Sequence, residues 1–229
     1  MTVTADPFAG TDLGLAELPD GMTGFGVAEV GFLLSLHRDE VTAEASRRFV
    51  GLDERLVTDE LLLLAGASSL TARGLLTVDE RAVQARSAAA LLEVALGRTV
   101  RWTRVALLGE DDTMANVVFF LQTPEVCAIV EPSVTATWWT GFGQAGDDPG
   151  ALLDALARTR LDQGDAAVIV DVREPDGARR NLLVGREGQG ALVATADVGP
   201  GGEGGTRVDL EGPDALAEVL RSMVPAVTA

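Results

Sequence analysis

The chain contains one histidine, His37, and one cysteine, Cys127, and these two residues bound the catalysis it could carry out. Any Ser–His–Asp relay would have to use His37, and no Gly-x-Ser-x-Gly elbow accompanies it. His37 ends an apolar segment and precedes Arg38 and Asp39, where a surface or helix-capping role accounts for it. A structural zinc site needs three or four His, Cys or carboxylate ligands in close spacing, and His37 and Cys127 lie far apart. Carboxylate pairs are more numerous: Asp53-Glu54, Asp59-Glu60, Asp111-Asp112 and Asp147-Asp148. Calcium binding or acid–base chemistry could use such groups. Among 35 acidic residues adjacent pairs arise by chance, and each of these falls at an expected turn or helix start. The glycine-rich stretches 141–143 and 185–190 lack the strand-to-helix context and the Lys of a phosphate-binding loop, and both read as turns. An enzyme should place a polar residue inside an apolar strand face. Asp171 and Asp197 do so, each near a strand end. The reading assigns no catalytic residue, no metal ligand and no cofactor.

Two features look more like recognition. Trp138-Trp139 closes an expected strand, and Phe142 follows. Neighbouring strand residues point to opposite faces, so both tryptophans are core only if both faces are covered. Otherwise one of them is an exposed anchor, a role in which Trp is enriched. The second feature is the acidic loop of Glu110, Asp111, Asp112, Thr113 and Met114 between two strands, which is either a partner site or a plain solvated hairpin. Arg179-Arg180 stands near the matching place further along, with the opposite charge.

The elements that must position these residues follow from a repeat. Apolar runs at 100–108, 117–121, 126–130 and 134–140 precede a helix from Pro149. Runs at 166–172, 178–184, 190–196 and 206–210 precede a helix from Pro213. The two sets stay about 64 residues apart until the glycine-rich insertion at 199–205, which reads as a surface loop. Within 100–108 the period is two, with Trp102, Arg104 and Ala106 on one face and Thr103, Val105 and Leu107 on the other. Turns at Thr123-Pro124-Glu125 and Pro175-Asp176-Gly177 are too short for a parallel crossover, so the strands are antiparallel.

Upstream, residues 1–24 show no clear period and are expected to be partly disordered. The apolar segment 27–36 is a first strand or a short helix, and 41–50 is a weakly amphipathic helix. Thr58 is the expected N-cap of the next helix, with Asp59 and Glu60 in its first turn, and Gly74 is its C′ residue. A further helix is expected from Asp79, carrying Val83, Ala90, Leu91, Val94 and Ala95 on one side, with Gly97 stopping it. Helices followed by strands imply an α+β fold. The expected organisation is one domain over 25–229: a helical part at 25–97, one ββββα repeat at 100–161 and a second at 166–224. Its central antiparallel sheet would be pseudo-symmetric, with the N-terminal helices packed against it.

Composition narrows the partners. The chain has 229 residues, 47% of them apolar, and a net charge of −17. All 18 basic residues are Arg, which reads as the codon bias of a GC-rich genome. So acidic a surface repels nucleic acid and anionic membranes. Nothing argues for a disulfide, and no apolar run approaches the roughly 20 residues of a membrane span. A soluble, cytoplasmic protein is expected.

The order of features resembles the EspG family, the cytosolic chaperones of type VII (ESX) secretion in actinobacteria. The resemblance rests on Val27-Ala28-Glu29-Val30-Gly31-Phe32-Leu33-Leu34, on Leu70-Thr71-Ala72-Arg73-Gly74-Leu75-Leu76, and on Asp176-Gly177-Ala178-Arg179-Arg180 with the later Pro213-Asp214-Ala215-Leu216. It implies a quasi-two-fold antiparallel sheet and a non-enzymatic protein that keeps a helical PE–PPE-like or WXG-like secretion substrate soluble. It also implies partner binding by a loop between early sheet strands, here Glu110, Asp111, Asp112, Thr113 and Met114. Trp139 and Phe142 complete the expected partner-binding set. Two other readings stand beside this one: a carboxylate- or metal-dependent enzyme, and a self-associating structural protein.

Overall fold

The computed structural model describes residues 21–37, 40–79, 82–108, 114–133, 135–144, 147–162, 167–187, 191–196, 206–209, 215–225 and 227. Strand β1 (Thr23–Gly26) leads into helices α1 (Val27–Ser35), α2 (Val41–Phe49), α3 (Arg55–Thr58) and α4 (Glu60–Ala72). A small hairpin, β2 (Leu76–Val78) and β3 (Val83–Ala85), precedes α5 (Ala88–Arg98). Four strands follow, β4 (Arg101–Leu108), β5 (Met114–Gln122), β6 (Val126–Pro132) and β7 (Thr137–Gln144), then α6 (Pro149–Asp162). The chain continues through β8 (Ala167–Arg173), β9 (Arg179–Glu187), β10 (Ala191–Ala196), β11 (Thr206–Asp209) and α7 (Ala215–Met223).

The fold is α+β around an antiparallel sheet. Nine strands among the described residues join in the order β1-β7-β6-β5-β4-β8-β9-β10-β11. Alternation divides their side chains between two cores. On one face Trp102, Phe119, Leu121, Ala128, Val130 and Trp138 pack with α1, α2, α4 and α5. On the other, Val105, Val118, Phe120, Val168, Val170 and Leu182 pack with α6 and α7. The inner strands are covered on both sides, which is why β5 and β6 read as unbroken apolar runs. The turns behave as their residues dictate. Gly177 has φ +87°, and its N–H donates to Glu174 O at 3.0 Å, closing the β8–β9 hairpin over Pro175 and Asp176. Thr123 Oγ1 accepts from the N–H groups of Glu125 and Val126 at 3.1 and 3.0 Å, closing the β5–β6 turn.

Several expectations for the N-terminal half need correction. Residues 23 and 24 lie in β1, paired with β7, rather than in a frayed arm; residues 1–20 lie outside the described residues. The segment 27–36 resolves to a helix. Thr58 ends α3, and Asp59 caps α4 by accepting from the N–H groups of Leu61 and Leu62 at 2.9 and 3.2 Å. Gly74 does sit at C′ with φ +70°. Leu75 N–H bonds to Leu70 O, and Gly74 N–H to Thr71 O, a Schellman ending. The helix expected from Asp79 begins only at Ala88, and Val83 lies in β3. Two three-residue strands carry too little periodicity to register against a helical pattern. The buried positions of α5 are Ala89, Leu92, Ala95, Leu96 and Gly97, while Leu91 is exposed. Gly97 does not stop that helix; a Cβ there would sit 2.7 Å from the His37 ring. The stretch 141–143 is strand, not turn, and so is Gly185. The fourth run starts at Thr137 rather than 134, because Ser133 N–H bonds to Thr137 O and closes a turn ahead of it.

Candidate binding surfaces

The residues with chemical potential are mostly occupied structurally. The His37 side chain is nearly buried rather than on the surface. Its Nδ1 lies 3.2 Å from Glu40 Oε1, and its Nε2 meets Glu93 Oε1, so it joins the end of α1 to α5. Asp53 accepts from Arg55 N–H at 2.8 Å. Asp148 accepts from Ala151 N–H at 3.2 Å at the start of α6 and from Arg221 Nε of α7 at 2.6 Å. The Arg221 guanidinium, with the Ala151 and Gly150 N–H groups, holds the Asp148 carboxyl below its usual range. Among the described residues no group of three or more His, Cys, Asp or Glu is placed to hold a metal ion. Burial in β6, reinforced by the charge of Asp147, pushes the Cys127 thiol up to about 12. The thiolate is the reactive form. Native Cys127 should therefore resist iodoacetamide at pH 8 and react only after denaturation. Fast labelling of the folded chain would contradict this environment.

One buried carboxylate organises the N-terminal edge of the sheet. Glu29, in the first turn of α1, accepts from Gly26 N–H at 2.8 Å, from Ser69 Oγ at 2.7 Å and from Arg73 Nη1 at 2.7 Å. Arg73 also donates to Gly24 O at 2.9 Å and lies over the Phe25 ring at 5.6 Å. Two backbone groups of edge strand β1 are thus satisfied by side chains, which blunts that edge against strand addition. The same pair ties α1 to the end of α4.

Beside this edge runs an open groove of about 760 Å³, lined among others by Met22, Gly24, Ala65, Gly66, Ser69 and Trp139. Trp138 points into the core beneath α1, α2, α4 and α5 and Trp139 to the other face of the sheet, where it is half-buried. Gly24 makes room for it: a Cβ there would lie 2.3 Å from the Trp139 ring. Helix α4 reaches the groove through Ala65. Its sequence is apolar nearly all round, a pattern that suits a helix buried on every side. Yet Leu61 is 76% and Leu64 65% exposed, and Ala65, Ser68 and Ala72 continue that stripe at helical spacing.

The expected partner-binding residues divide. Glu110, Asp111, Asp112 and Thr113 lie outside the described residues. Met114 opens β5 opposite Leu108, beyond a shift in register. Glu131 pairs across the sheet with Trp139 and accepts from Asn116 Nδ2, so Met114 and Trp139 stand at the same end of the sheet. Phe142 lies on the opposite face of β7, partly buried against the core beneath α1, α2, α4 and α5, and is not part of that surface. Sequence reasoning missed Leu61 and Leu64, whose surplus of apolar character over one helical face was the available signal.

A second charged centre lies on β8. Asp171, the residue that broke an apolar strand face, is 1% exposed. It accepts from Arg104 Nη2 at 3.2 Å, Arg173 Nη2 at 2.9 Å and Arg179 Nε at 3.0 Å. Arg173 shares the face of Asp171 two residues along the same strand, while the β4–β8–β9 register brings Arg104 and Arg179 beside it. Asp197 lies outside the described residues. No helix among the described residues is long and apolar enough to cross a membrane. Compared with known proteins, the chain matches no family model and no curated protein sequence.

Proposed function

We propose that this chain is a cytoplasmic binding protein that holds an apolar helix of a partner, as the EspG-type secretion chaperones it resembles hold theirs. The observation that carries this reading is the outward stripe of α4, where Leu61, Leu64 and Ala65 lead into the groove beside Trp139. An exposed apolar helical face next to a half-buried aromatic suits a helix laid into a groove. The strand order supports a duplicated scaffold beneath it: β4-β5-β6-β7 runs outward on one side of the β4–β8 pair and β8-β9-β10-β11 on the other. The segments that carry the resemblance are physically joined through Glu29 and Arg73. On this reading the chain has no catalytic step and needs no cofactor.

The test is co-expression with helical PE-, PPE- or WXG-like proteins of the chain's own host, read by co-elution at a fixed ratio. Leu61→Glu with Leu64→Glu should leave the far-ultraviolet spectrum and melting unchanged while weakening the complex by about ten- to a hundredfold, as loss of central anchors does. Asp111→Arg with Asp112→Arg asks separately whether the acidic loop contributes. A complex indifferent to the α4 substitutions, or no complex with any helical substrate, would sink the reading.

A further inference from the structure

A recess of about 300 Å³ lies between α2 and the β8–β9 hairpin, on the same sheet face as Asp171. Its walls are apolar: Val41, Ala45, Phe49, Trp102 and Pro175. Val41 is 88% exposed at the start of α2, and Trp102 is held in place by its Nε1 donating to Ser46 Oγ at 3.0 Å. Arg48, whose Nε donates to Glu44 Oε1 at 2.6 Å, and Arg173, whose guanidinium lies over the Phe49 ring at 5.2 Å, also line it. Glu174, the remaining charged group, is engaged by Arg101 Nε at 3.0 Å and by Arg180 Nη2 at 2.5 Å.

The local charge runs against that of the chain. Arg104, Arg173 and Arg179 share Asp171, while Arg101 and Arg180 share Glu174. Three arginines on the recess face thus share one carboxylate, and Arg101 and Arg180, which strand alternation places on the opposite face, share the other, in a chain of net charge −17. Arg104 and Arg173 each use one nitrogen on Asp171, and among the described residues the Nε of each has no partner. Guanidinium forks match planar carboxylates, and a cation against an aromatic wall suits an anion carried on an apolar body.

We propose that this recess binds a carboxylate attached to an apolar group, with Arg173 and Arg48 meeting the charge and Val41, Ala45 and Phe49 the hydrocarbon. The carboxylate can come from a free amphipathic acid or from the C-terminal residue of a peptide. The proposal stands apart from the α4 surface and does not depend on it.

Octanoate and N-acetyl-Ala-Ala-Leu with a free C-terminus are the probes, each against its own amide, by calorimetry at low salt. Saturable binding of at least one acid, about tenfold tighter than its amide and weakened by salt, is expected. Octanoate alone would identify a free acid as the source, and the peptide alone a chain terminus. Arg173→Gln should weaken binding about tenfold or more. Because Arg173 also serves Asp171, Val41→Asp provides a second variant. It changes an exposed side chain, puts a negative charge at the mouth, and should weaken binding while melting stays unchanged. If neither acid binds better than its amide, or if a folded Val41→Asp chain binds the acids undiminished, the assignment is wrong.

Discussion

Gly66→Ala should lower the stability of the chain by about 1–3 kcal/mol, although helix propensity alone favours alanine over glycine by roughly 1 kcal/mol. The sign decides between two accounts of α4. If the helix stood alone, removing a flexible residue from its interior would help. Here α4 crosses α1 so closely that a Cβ on Gly66 would lie 2.1 Å from Ala28 O and 2.7 Å from Ala28 C. Those atoms are backbone, so no side chain can swing aside and the helices must separate. Gly31, on α1, has the same constraint against Leu56 O at 2.3 Å. Separation would disturb the Glu29–Ser69–Arg73 cluster and widen the groove beside Trp139. A thermal midpoint lower by roughly 2–12 °C is expected for a chain of this size. A midpoint that rises would mean the close crossing is not a feature of the folded chain.

Asp171→Asn should be comparably damaging for an electrostatic reason. The change keeps the shape of the side chain and removes the one charge that Arg104, Arg173 and Arg179 share. Breaking a fully buried ion pair costs about 3–5 kcal/mol. The guanidiniums here are about 40% exposed, so water takes over part of the carboxylate's role. The expected loss is about 2–4 kcal/mol. Added salt should restore part of it, because screening weakens repulsion between partly exposed cations. Melting followed across a salt series checks both statements. A variant that melts as the parent does would show that the arginines are not held by Asp171.

The sheet was readable in advance because its determinants are local. Alternation over β4, apolar runs over β5 and β6, and Pro175-Asp176-Gly177 each act within a few residues, and the strands lie close to where those patterns put them. The helical half was less readable. Thr58 and Asp59 are adjacent and both suit an N-cap, and only the hydrogen bonds to Leu61 and Leu62 distinguish them. Gly97 looked like a terminator because nothing local reveals that His37 packs on it. Of the expected partner-binding residues, Trp139 stands in a groove and Phe142 in the core's margin, a difference fixed by the parity of β7 and by which helices cover each face. Asp171 was visible as an anomaly and Arg173 shares its face by spacing, but Arg104 and Arg179 are brought beside it by strand register.

The pairing of Thr23 with Thr140 also sets a timetable for synthesis. The first strand of the sheet has no partner until the chain has grown through β7. At about 5–20 residues per second that interval is roughly 6–23 seconds. As they are made during it, the apolar side chains of α1, α4 and α5 have no completed sheet to cover. The newborn N-terminal half therefore waits that long for the surface its helices pack on, and a chain cut short before β7 would leave β1 without its partner strand.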